Sequence, residues 1–310
     1  MTVILETALA AVGAGVYAGL VEPRRLVVRR HRVPWPAWRS ERRPLRLVLF
    51  SDLHASWPHM TARRIGALVR RVLAERPALV LIAGDFMCTD TVGTIPLTPE
   101  TVARALRPLA RQVPTFAVLG NHDWDFDGAR VVRALEDAGV TVLVNSHRGL
   151  RFGGAELRLA GVDDPVTRRA DLARALEGVV PEEPVVLLSH SPDLHRRAPH
   201  PVRLLLAGHT HGGQIRLPGI GALVTMSRLP RRFARGLHRD RGRHLLVTAG
   251  VGTTGIPLRF ACPPELVVLE LVPSEPERPG KTAVQPSTRS HPPAETDRPE
   301  AALAASTDAR

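Results

Sequence analysis

Five short motifs in this chain gather side chains that bind metals or move protons. They are Asp52-Leu53-His54, Gly84-Asp85, Gly120-Asn121-His122-Asp123, Ser189-His190 and Gly208-His209-Thr210-His211. An aspartate and a histidine two residues apart in a tight turn can aim a carboxylate and an imidazole at one point. Each fragment alone is weak: a lone Gly-Asp is usually a turn, and a single histidine at a strand end is more often a hydrogen-bonded polar residue than a ligand. Their order changes the weighing, because independent accidents do not put Asp, His, Asp, Asn, His, His and His at successive strand ends. Glycines beside them, such as Gly84 and Gly120, let the backbone turn where a side chain would obstruct approach.

The elements that must position these groups follow from the hydrophobic pattern. From Leu45 to Val272 short apolar runs alternate with amphipathic stretches, which predicts an α/β domain. Strands are expected at 45–50, 78–83, 115–119, 141–144, 157–160, 185–188, 203–207, 244–248 and 266–271, and helices at 61–75, 99–109, 127–138 and 170–176. The motifs then stand at the C-terminal ends of strands, where such sheets present their ligands. Hydrophobic residues at 44% and charged residues at 23% are globular values and allow a sizeable core. Beyond Pro273 the chain turns to Pro, Ser, Thr, Glu and Ala, and a disordered tail is expected over 274–310.

The N-terminal end reads differently. Thr2 to Val21 is apolar over about the length of a bilayer crossing, with Glu6 as its one charge and no basic residue before it. The arginines follow it, so the positive-inside rule predicts an uncleaved anchor over 1–22, single-pass in the cell membrane, with the bulk of the protein cytoplasmic. The competing reading is an apolar helix packed on the domain. Residues 23–44, with Trp35 and Trp38 among prolines and arginines, are expected to form a basic juxtamembrane connector to a domain over 45–273. The formal charge of +12 is local: nine arginines stand against two glutamates in 22–46, and seven against one aspartate in 227–244. Such runs attract an anionic membrane surface or nucleic acid, although Lys281 as the only lysine points equally to a bias toward arginine codons. Cys88 and Cys262 are too few for a disulfide framework or a cysteine zinc site.

The ordered set D-x-H, G-D, G-N-H-D, H and G-H-x-H closely resembles the calcineurin-like metallophosphoesterases over about Leu45 to Leu271. Within them the chain looks most like the membrane-anchored bacterial branch related to UDP-2,3-diacylglucosamine pyrophosphatases. The features are Glu22-Pro23 after the anchor, Gly-His-Thr-His-Gly-Gly-Gln ending at Gln214, and Pro257 to Pro264. The resemblance implies a four-layer α/β sandwich, two mixed β-sheets flanked by helices, behind an N-terminal membrane-anchor helix. It implies two divalent transition-metal ions, and the mix of carboxylate, imidazole and amide oxygen suits Mn2+, Fe or Zn2+ better than Ca2+ or Mg2+. Asp52, His54 and His211 would hold the first, Asn121, His190 and His209 the second, and Asp85 would bridge them. Two such ions lower the pKa of a shared water, giving a bridging hydroxide for in-line attack on phosphorus. His122 would serve the leaving group, and Asp123 would orient its imidazole.

The function implied is hydrolysis of a phosphodiester or pyrophosphate, on a phosphorylated small molecule or a lipid-linked or nucleotide-sugar phosphate at the membrane. One rival is a nuclease or cyclic-nucleotide phosphodiesterase. Nucleic acid is disfavoured because the basic residues are not interleaved with the aromatics that stack on single strands. A second rival, a membrane-bound regulatory protein with a vestigial site, is disfavoured by the full complement of ligands. No G-x-S-x-G elbow, phosphate-loop lysine motif or H-x-H-x-D-H segment is present.

Overall fold

Alternation along the strands sorts apolar residues between two faces, and two sheets result. The computed structural model describes residues 2–36, 44–152 and 155–274. Its helices are α1 (Thr2–Val16), α2 (Ala62–Ala74), α3 (Pro99–Ala110), α4 (Asn121–Asp137) and α5 (Leu172–Ala175). The sheets use β1 (Val27–Trp35), β2 (Leu45–Phe50), β3 (Leu79–Ala83), β4 (Thr115–Val118), β5 (Thr141–Val142), β6 (Ser146–Phe152), β7 (Ala155–Gly161), β8 (Val185–Leu188), β9 (Val202–Ala207), β10 (Gly236–Asp240), β11 (Arg243–Val247) and β12 (Glu265–Pro273).

The first sheet has the order β1-β12-β2-β3-β4-β5, and the second β10-β11-β9-β8-β7-β6. β2 to β5 are parallel, whereas β12 runs antiparallel to β2 and β1 runs parallel to β12. In the second sheet only the edge strands β6 and β10 run against their neighbours.

Leu47, Leu49, Leu79 and Leu81 project from one face of the first sheet onto Leu159, Leu188, Leu206 and Leu246 of the second. The alternate residues Val48, Phe50, Val80 and Ile82 face α2, α3 and α4. Each aliphatic side chain buried in this way contributes about 1.5–3 kcal/mol. Leu187, Leu205 and Leu245 on the outer face of the second sheet meet Leu194 and Phe233 from short helical turns. Helices, sheet, sheet and helical turns make the expected four layers. The helices start where the sequence allows: Thr61 accepts the Arg64 N–H, and Thr98 accepts that of Thr101 with Pro99 at the first helical position.

One stretch departs from expectation. Val27–Trp35, expected within a connector, is a nine-residue strand, with Val33 and Trp35 fully buried between the sheets. Its arginines pair with carboxylates: Arg29 with Glu265 at 2.9 Å, Arg30 with Glu75 at 2.7 Å and Arg32 with Glu270 at 3.7 Å. Pairing along β12, with carboxylates from β12 and from the end of α2, settles this stretch as strand. Residues 37–43, with Trp38, and the expected tail beyond Ser274 lie outside the described residues.

α1 runs on through a π turn (Tyr17–Val21) and a 3-10 turn (Glu22–Arg24). The span Leu5–Arg24 is long and apolar enough to cross a membrane, with mean hydropathy 1.3. Its base is seated on the loop before β12. The Ala18 carbonyl accepts the Arg259 N–H at 2.9 Å, and the buried Glu22 carboxylate accepts the backbone N–H groups of Ala261 and Cys262. Because β1 and β12 oppose β2, α1 leaves the domain at the end where β2, β3 and β4 finish.

Candidate metal centre

The loops leaving β2, β3, β4, β8 and β9 bring together the residues expected to hold metal. His54 Nε2 lies 3.1 Å from His211 Nε2 and 3.6 Å from Asp85 Oδ2, and His211 Nε2 lies 3.6 Å from Asp52 Oδ1. On the other side of Asp85, His190 Nε2 is 3.1 Å from Asp85 Oδ2 and 3.1 Å from His209 Nδ1. Three groups of possible ligands lie close together, Asp52-His54-His211, Asp85-His190-His209 and, on the less buried side, His54-Asp90-His122, with Asp85 reaching the first two. Asn121 opens α4, and its Oδ1 is buried without a hydrogen-bond partner.

The backbone is bent to achieve this. Asp52, His54, Asp85, His209 and His211 all have positive φ, between 44° and 68°, a region that side-chain-bearing residues occupy at a cost of about 1–3 kcal/mol each. Gly84 has φ of 82°, and a Cβ there would lie 2.7 Å from Gly120 N. A Cβ on Gly120 would collide with the Asp85 carboxylate. A side chain at Gly84 would press on the Gly120 turn and the His190 ring, and one at Gly120 on Asp85 itself.

Hydrogen bonds at the rear of two rings decide what faces the centre. A carbonyl only accepts, so His190 Nδ1 donates to Ala83 O at 2.8 Å and His209 Nε2 donates to Met226 O at 3.0 Å. In the neutral rings His190 Nε2 and His209 Nδ1 are then both lone pairs, 3.1 Å apart, and repel unless a proton or a cation lies between them. Against the effect of burial, Asp85 and Asp52 raise His190 to about 10, so in the absence of metal it holds that proton. Burial pushes His54 and His209 down to about 4, and His211 well below its ordinary value. Burial, reinforced by Asp85, raises Asp52 to about 6. Burial also opposes charge on Asp85, but His190 and His54 outweigh it and hold that carboxyl below the usual range. Neutral imidazoles at His54, His209 and His211, an ionised carboxylate at Asp85 and an orphaned amide oxygen at Asn121 fit divalent cations, one of which would displace the proton from His190.

His122 and Asp123 part company. The fully buried Asp123 carboxylate accepts four backbone N–H groups, from Asp85, Phe86, Met87 and Gly120, at 2.8–2.9 Å. Burial and Asp85 push this carboxyl up to about 7 against the pull of those donors. Both its oxygens are thereby used, and it does not orient His122 as expected. The His122 imidazole instead meets the Thr89 hydroxyl at Nδ1, and its Nε2 lies 3.9 Å from Asp90. Its ring centroid is 4.9 Å from that of His54. Sequence reasoning missed Thr89 and Asp90, which carry no motif; their one signal is a place four and five residues beyond Asp85.

It also missed Arg259. That guanidinium is fully buried and donates to the carbonyls of Ala249, Gly252 and Cys262 at 2.7–3.0 Å. The Gly252 N–H in turn donates to the Asp52 carbonyl at 2.7 Å, so Arg259 braces the loop behind Asp52. The second arginine run divides. Arg228 to Arg235 lie beside the site loop, where Thr210 donates to Ala234 O at 2.6 Å, and Arg239 to Arg243 lie on the β10–β11 hairpin.

Residues 45–213 match the calcineurin-like phosphoesterase family. The chain belongs to that family. The uncharacterized metallophosphoesterase YkuE of Bacillus subtilis (strain 168) is 30% identical over 267 residues, 85% of this chain and 92% of its own length. Phosphodiesterase YaeI of Escherichia coli (strain K12) is 30% identical over 260 residues, 83% of this chain and 92% of its own. A transmembrane protein with a metallophosphoesterase domain from Danio rerio is 32% identical over 250 residues, 73% of this chain; the match spans about half of that protein, 53%. This calcineurin-like phosphoesterase is a metal-dependent phosphoric ester hydrolase, and the ions its family uses are divalent.

Proposed function

We propose that the chain hydrolyses a phosphodiester or pyrophosphate at a binuclear centre, and that it does so at a membrane surface. Asp52, His54 and His211 hold one ion, Asn121, His190 and His209 the other, and Asp85 serves both. The observation that carries this reading is the pair of inward ring nitrogens on His190 and His209, 3.1 Å apart with their outer nitrogens committed to carbonyls, set beside a carboxylate within reach of both histidine groups. The mixed donor set suits Mn2+, Fe or Zn2+. When bound, the ions supply Lewis-acid charge for the phosphoryl oxygens and make a nucleophile of water near neutral pH.

The protein's own groups position and protonate. The Ala83 and Met226 carbonyls fix two imidazole tautomers, and the Asp123 carboxylate pins the turn that carries Asp85. His122, held by Thr89 and Asp90 at the less buried side of the centre, donates a proton to the departing oxygen. The apolar helix α1 and the name of the Danio rerio relative support membrane attachment; the arginines that follow the helix favour a single-pass anchor with the domain cytoplasmic. The substrate is a phosphorylated small molecule or a lipid-linked or nucleotide-sugar phosphate.

The test is hydrolysis of bis(p-nitrophenyl) phosphate by the full chain in detergent. Turnover that a chelator abolishes and Mn2+ restores, with about two ions per chain, is expected. A folded chain that binds no transition metal and shows no turnover contradicts the reading. A panel of nucleotide-sugar lipids, phospholipids and oligonucleotides then separates the substrate classes.

A further inference from the structure

Exposed apolar side chains are normally scattered singly over a soluble protein. Here they are segregated. Among the described residues, all the large exposed ones except Val166 and Val180 lie on α1 and the turn after it, or on loops at the metal-centre end. Three such loops meet. Trp57 pairs with Ile95 in a two-stranded ribbon just past His54. The Val92 N–H donates to Gly255 O at 2.8 Å, and the Gln214 side chain donates to the carbonyls of Thr254 and Ile256. The segment from Gln214 to Met226 continues from His211 and returns to His209 through the Met226 carbonyl. Ile220 at its tip is 63% exposed and the Met226 side chain at its end is 70% exposed, values at which a core role is ruled out.

Two observations say what covers these loops. Topology sends α1, apolar over a bilayer's length, out of the same end of the domain, with its base against the loop that carries Ile256. Exposed arginines border the apolar tips: Arg24 and Arg25 at the foot of the helix, and Arg228, Arg231 and Arg232 just past Met226. An apolar tip backed by arginines matches the boundary between acyl chains and anionic headgroups.

We propose that the loops bearing Trp57, Val92, Ile95, Ile220, Val224 and Met226 form a rim that dips into the bilayer, so that the metal centre opens onto the headgroup layer. The inference rests on the membrane reading above and adds that the catalytic face itself, not only α1, is inserted. Phosphate esters presented in the headgroup layer then reach the centre without leaving the membrane.

The test uses the full chain reconstituted into phosphatidylcholine–phosphatidylglycerol vesicles. Cys88 and Cys262 are both buried, so a fluorophore can be placed selectively on Val224→Cys, or on Val180→Cys as a control on a surface away from the rim. Retained turnover of bis(p-nitrophenyl) phosphate certifies each labelled chain as folded. Brominated acyl chains should quench the Val224→Cys label and spare the Val180→Cys label, with iodide in the water doing the reverse. If the chain floats with the vesicles while both labels remain equally open to iodide, α1 anchors it and the rim proposal is overturned. If the chain does not float with vesicles, the membrane reading falls and the rim with it.

Discussion

Replacing Asp123 by asparagine separates two roles for this residue, support of His122 and support of the fold around Asp85. Asp123 Oδ1 accepts the N–H groups of Phe86 and Met87, and Oδ2 accepts those of Asp85 and Gly120. An asparagine keeps one oxygen, so one pair of donors faces an NH2 group and loses its acceptor. Leaving two buried N–H groups unpaired costs about 1–3 kcal/mol each, or about 4 kcal/mol for the pair. In a domain of this size about 1 kcal/mol lowers the melting midpoint by about 2–4 °C. The Asp123→Asn midpoint should therefore fall by about 8–16 °C, followed by circular dichroism on the full chain. Metal content should fall too, because the released turn carries Asp85. An unchanged midpoint and metal content with turnover lost would refute the reasoning and return Asp123 to a role on His122.

Three other outcomes are expected. His122→Ala should lower turnover by about 10²–10⁴-fold while metal analysis still finds both ions, whereas Asp85→Ala should lose metal as well. Arg259→Met strips donors from the buried carbonyls of Ala249, Gly252 and Cys262 and should destabilise by at least about 3 kcal/mol in denaturant unfolding; an unchanged midpoint would show that water replaces the guanidinium. Burial lowers His195 despite the Asp240 carboxylate and with the help of Arg243 and Arg241. The unfolded chain then takes up this proton near the ordinary value of 6.5 while the folded chain does not, so stability should decline as pH falls below about 6.5. His195→Gln should flatten that decline in melting curves recorded across pH.

The proposed ligands were legible because each sits in a local motif at the end of a hydrophobic run, and the parallel strands within each of the two sheets finish on one side. What lay beyond the sequence depends on partners from elsewhere. Asp123 adjoins His122 in the chain, yet its four partners are backbone N–H groups, three of them on the turn after β3, which no side-chain pattern reveals. The alternation of β1 is masked by Arg29, Arg30, Arg32 and Pro34, and becomes intelligible only when Glu75, Glu265 and Glu270 arrive beside it. β6 and β10 escaped notice for a related reason, being edge strands with no fully buried position. A buried Arg259 runs against the ordinary expectation for arginine, and only the converging carbonyls account for it.

The central claim is that two ions share Asp85. Anomalous diffraction from crystals grown with Mn2+ tests it most directly. The account predicts two peaks about 3.5–4 Å apart, one against Asp52, His54 and His211, the other against Asn121, His190 and His209, with Asp85 between them. A single peak, or peaks from which Asp85 is absent, would contradict it.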